Sequence, residues 1–121
     1  MLNCLMKITR YIAASVVALI VSVSSYGYDK AKVDRYIREA EYYTRQAESF
    51  ERDAAYYLNQ ARKYIKNAEY YSKRGNDLKA KTYMKWAKEA SDKANLRKRR
   101  AEDARGKAQL RMRWANDEMK N

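Results

Sequence analysis

Alanine recurs at seven-residue spacing along most of this chain, at Ala40, Ala47, Ala54, Ala61 and Ala68 and again at Ala80, Ala87, Ala94, Ala101, Ala108 and Ala115. Three residues after each alanine of the first series stands a large ring: Tyr43, Phe50, Tyr57, Tyr64 and Tyr71. A seven-residue apolar repeat of this length restricts the chain to long helices packed along a narrow seam. The two series are separated by one break, Gly75-Asn76-Asp77, in a sequence of 121 residues with no proline and three glycines. The expected fold is therefore all-α. It is a long antiparallel helical hairpin, an alanine-seamed coiled coil, with helices over 29–74 and 77–119 and a turn at 75–76.

Local signals agree with that division. Asp29 can cap the first helix, and Lys73-Arg74-Gly75 reads as its end, with basic residues for the dipole and glycine for a left-handed cap. Asn76 or Asp77 can cap the second. With the alanines at heptad position a, the rings Tyr36, Tyr43, Phe50, Tyr57, Tyr64 and Tyr71 fall at d. A turn centred between Gly75 and Asn76 sets Tyr71 opposite Ala80, Tyr64 opposite Ala87, Tyr57 opposite Ala94 and Phe50 opposite Ala101. Large facing small lets side chains interdigitate and the axes come within about 8 Å. The pattern resembles the close antiparallel packing motif called an Alacoil. A longer period overlies it: AEYYTRQAESFERD, AAYYLNQARKYIKN and AEYYSKRGNDLKAK begin 14 residues apart, at Ala40, Ala54 and Ala68. Two helices seamed by methyl groups bury little surface, so self-association into a bundle is expected.

Residues 1–27 have the layout of a secretory signal: Lys7 and Arg10, an uncharged apolar stretch over 11–23, then small Ser25 and Gly27 before a cut near Gly27–Tyr28. This mostly apolar stretch of 13 residues is too short for a hydrocarbon core that takes about 20. The sole cysteine, Cys4, precedes that stretch. The chain is thus expected to be exported, to a periplasm, as residues 28–121. Of its 27 basic residues, removal of Lys7 and Arg10 leaves 25 against 15 acidic ones, a net +10. Such a balance points to an anionic partner or surface.

Two groups are candidates for binding. Tyr42, Tyr56 and Tyr70 fall at c, roughly 200° from the alanines and about 21 Å apart, as an outward stripe suited to another hairpin or a sugar polymer. Arg97, Lys98, Arg99, Arg100 and Arg105 are the candidate anion-binding set, for lipid head groups or an anionic polymer. Their alternative role is a solvated face ion-paired to the first helix. Specific nucleic-acid reading is not expected: no zipper follows the basic run, and the leader directs the chain outward. Trp86 and Trp114 lie four heptads apart beside the alanines, in positions suited to the edge of the seam.

Nothing in the sequence assembles a reaction centre. The chain has no histidine, its cysteine is in the leader, and it has no glycine-rich phosphate loop. The pairs Glu102-Asp103 and Asp117-Glu118 point in different directions on a helix. No catalysis, cofactor or metal is expected. The expected role is non-catalytic binding or scaffolding in the cell envelope, for instance as an accessory of a secretion or conjugation apparatus. The alternatives are a periplasmic chaperone or stress protein, which it resembles in charge and helicity, and a membrane-perturbing antibacterial or toxin protein. Mass spectrometry of envelope-extracted protein is expected to show a chain beginning near Tyr28; a full-length chain in the membrane fraction refutes the cut.

Overall fold

A computed structural model describes residues 27–120. The leader, with Cys4, Lys7, Arg10 and the apolar stretch 11–23, lies outside the described residues, as does Asn121. Two α-helices make up the fold, α1 (Lys30–Lys73) and α2 (Asp77–Lys120), packed against each other as a helical hairpin. Among the described residues no helix is long and apolar enough to cross a membrane.

Backbone donors at the helix ends account for the turn. The Lys32 amide donates to Asp29 Oδ1 at 3.2 Å, which caps α1. At the other end Gly75 takes a φ of +75°, its amide donates to the Ser72 carbonyl, and the Asn76 amide donates to the Tyr71 carbonyl. This pair of bonds is a Schellman closure, which needs a left-handed residue where only glycine avoids a Cβ clash. Asn76 then caps the next helix, accepting the Lys79 amide at Oδ1 (3.2 Å). The residue that closes α1 therefore also opens α2, which is why three residues suffice to reverse the chain.

The seam is made of methyl groups. Ala40, Ala47, Ala54, Ala61 and Ala68 of α1 are buried, as are Ala87, Ala94, Ala101, Ala108 and Ala115 of α2. Ala80, beside the turn, is only half-buried. Ala90 and Ala104 are buried as well, one turn from the α2 repeat. Among the described residues the largest side chain fully removed from water is Val33, at 1 % exposure. It clusters with Ala115 and Met119, and Tyr28, Tyr36 and Ile37 pack against them. A buried methyl group contributes about 0.8 kcal/mol, less than the 1–2 kcal/mol needed to order one residue's backbone. The half-buried rings of position d add further apolar burial beside the seam.

Those rings have neighbours other than alanines. The described residues divide into two compact units, one of 27–48 with 102–120, the other of Ser49–Ala101. Within the terminal unit Lys32–Glu118, Tyr36–Trp114, Glu39–Arg111 and Tyr43–Lys107 meet across the helices with numbers that total 150, and Arg111 also reaches Tyr43, one turn further along. Within the turn unit Asp53–Arg97, Tyr57–Lys93, Tyr64–Trp86 and Tyr71–Lys79 have the same total. The rings of position d therefore have cations and indoles as cross-helix neighbours beside the alanine seam. Position g of α2 supplies Lys79, Trp86, Lys93, Lys107 and Trp114 against the rings, because a ring too wide for the methyl seam lies over its edge, where long stems and indoles cover it.

Thermal melts should separate these contributions. Ala54→Leu forces extra volume into the seam and is expected to cost about 1–3 kcal/mol. Gly75→Ala, in a left-handed backbone, should cost about 1 kcal/mol. Gly106→Ala, in mid-helix with open space around a built Cβ, should instead raise stability by about 0.5–1 kcal/mol. Parent-like melting of Ala54→Leu would remove the alanines from the helix contact.

Candidate binding surface

The cross-helix pairs form repeated stations 14 residues apart. In the terminal unit Arg111 Nε donates to Glu39 Oε2 at 2.7 Å, and its guanidinium lies 5.3 Å from the Tyr43 ring and 4.4 Å from Trp114. Lys107 Nζ lies 5.6 Å from the same Tyr43 ring. The turn unit has the matching set: Arg97 faces Asp53 at 3.9 Å and the Tyr57 ring at 5.9 Å, and Lys93 Nζ is 5.7 Å from Tyr57. One period nearer the turn, Lys79 stands 4.9 Å from Tyr71, and Tyr83 takes the place of the arginine. Tyr83 stacks on Tyr71 with planes 6° apart. Each such tyrosine carries a cation over its face, at separations where ring–cation attraction is favourable. Arginine serves at Arg111 because a planar guanidinium holds a carboxylate at its edge while its face covers a ring.

The outward stripe is accessible: Tyr42, Tyr56 and Tyr70 are 51 %, 60 % and 50 % exposed. Each is braced by the seam tyrosine that follows it, in edge-on pairs Tyr42–Tyr43, Tyr56–Tyr57 and Tyr70–Tyr71 with centroids 5.1–5.4 Å apart. Gln46 Nε2 donates to the Tyr42 hydroxyl at 2.7 Å, and the Arg74 guanidinium covers Tyr70 at 3.7 Å. The rings thus have settled orientations while half their surface faces water, which lowers the ordering cost of burying them against a partner.

The basic set does not converge on one face. Arg97 is half-buried at the seam edge and paired with Asp53, whereas Lys98, Arg99 and Arg100 are exposed on successive sides of α2. Arg105 is half-buried and engaged. Successive helical residues are about 100° apart, so a run of four cations encircles the helix. The sequence reading missed Glu39, Asp53, Lys93, Lys107 and Arg111. A signal for them was present, since Lys93-x-x-x-Arg97 and Lys107-x-x-x-Arg111 repeat at the 14-residue period of α1.

No known family model, curated protein or solved structure matches this chain. Its chemistry has to be read from these side chains.

Double-mutant cycles by chemical denaturation should rank the stations. Glu39→Gln with Arg111→Met is expected to show coupling of about 1 kcal/mol, and Asp53→Asn with Arg97→Met only a few tenths. Equal couplings would mean that the shorter, half-buried Glu39–Arg111 contact confers no advantage.

Proposed function

We propose that this chain is an exported, non-catalytic binding or scaffolding protein of the cell envelope, working as an assembly of hairpins, for instance in a secretion or conjugation apparatus. The observation that carries this reading is the stripe of Tyr42, Tyr56 and Tyr70, half exposed yet held in place by neighbouring rings. A second copy is its expected occupant. The buried layer is almost wholly alanine, and a domain with so thin a core commonly gains its missing burial by oligomerising. Tyrosine is among the residues enriched at such interfaces, because a large ring buries much surface while its hydroxyl keeps a polar partner.

The leader supports export, and the position of Tyr28 is consistent with a cut before it. That residue packs against the Val33, Ala115 and Met119 cluster, so a chain beginning there keeps its first contact with the fold. The excess of positive charge suits an envelope rich in anionic groups.

Sedimentation of the parent and of a variant with serine at Tyr42, Tyr56 and Tyr70 tests the assembly. The parent is expected to sediment as an oligomer at micromolar concentration, and the variant as a helical monomer. A monomeric parent at high micromolar concentration overturns self-association and leaves the stripe to a foreign partner.

A further inference from the structure

The turn unit contains an open cleft of about 320 Å³ between Tyr57 and Tyr64 of α1 and Trp86 and Lys93 of α2. Its origin is compositional. Position d of α2 is filled by Tyr83 on one side and Arg97 on the other, and both lie over rings of α1. Between them stands Ala90, buried and lining the cleft, whose methyl group leaves the space beside Tyr64 unfilled. Gln60 and Glu89 also line it. Trp86 is 43 % exposed there.

We infer that this cleft binds a hexose ring bearing a carboxylate, as a unit of an acidic glycan. Four aromatic side chains, Tyr56, Tyr57, Tyr64 and Trp86, with a few polar groups converging beside them make a site for a ligand with one apolar face and a polar rim. A pyranose has that character: its axial C–H groups form an apolar face and its hydroxyls a rim. Gln60 offers both a donor and an acceptor to those hydroxyls, and Glu89 offers acceptors. The Lys93 ammonium supplies the counter-charge for the carboxylate, and the net positive charge draws in an anionic polymer.

The ring geometry disfavours a nucleobase. Trp86 meets Tyr64 at 62° and Tyr83 at 83°, so these rings form a corner and not a parallel slot for a flat base. An organic ammonium ligand is disfavoured as well, because Lys93 already sets a cation 5.7 Å from the Tyr57 ring. Tyr56 lines both this cleft and the outward stripe, so glycan binding and self-association need separate readouts.

The test uses the full chain carrying Trp114→Phe, which leaves Trp86 as the reporting indole. Its fluorescence is titrated with polygalacturonate, with uncharged dextran and with oligothymidylate. Polygalacturonate is expected to give a saturable spectral shift and dextran none. Ala90→Leu, which fills the cleft and retains Trp86, should weaken binding by about tenfold or more, and Lys93→Gln by several-fold. Should Ala90→Leu fail to fold by circular dichroism, Gln60→Ala takes its place, with several-fold weakening expected. Absence of a shift overturns the proposal. So does an equal response to oligothymidylate, or binding undiminished in the variants, since either reduces the attraction to overall charge. Sedimentation of the same samples reports self-association independently, so failure of one reading is distinguishable from failure of the other.

Discussion

Methyl-to-methyl packing between two long helices is the constraint from which the rest of this structure follows. Alanine at every seventh position leaves no room for a large side chain between the helices, so the rings of position d cannot enter the seam and lie over its edge. There they meet position g of α2, which supplies Lys79, Lys93 and Lys107 together with Trp86 and Trp114. A cation or an indole is a suitable cover for a tyrosine face, since each brings apolar surface together with attraction to the ring. Alanine alone specifies register weakly, because every heptad shift brings methyl onto methyl again. The carboxylate–arginine pairs Glu39–Arg111 and Asp53–Arg97 repeat only every 14 residues. A slip by one heptad therefore separates each arginine from its acid, so these stations reinforce the register that the Gly75–Asn76 turn sets.

Alternation within position d of α2 has a second consequence. Arg97 and Arg111 fill their stations, whereas Ala90 and Ala104 are small. The same alternation thus leaves unfilled space among aromatic side chains at Ala90. The outward tyrosines are a separate device, turned to solvent by the c position and steadied by edge-on contact with the ring behind. The basic run at Arg97–Arg100, the most conspicuous charge feature of the sequence, is dispersed around α2. One member serves the seam and three face water, so the run does not act as a unit.

Much of the fold is legible in the sequence because it rests on local rules. Heptad alanines report a helix face directly, since burial follows a period that depends on residue number alone. Asp29, Gly75 and Asn76 are equally legible, for capping joins residues within five positions of one another. The exposure of Tyr42, Tyr56 and Tyr70 also follows from their angle to the alanines. Which residues meet across the seam does not follow in this way. Periodicity sets Tyr57 toward the alanines of α2, but that Lys93 and Arg97 both reach its ring depends on how the turn places the two helices. The stations at Arg97 and Arg111, and the cleft beside Ala90, exist only once both helices are placed. Helical periodicity states which side of each helix is covered, and the contact between the helices, set by side-chain volume and the turn, decides what covers it.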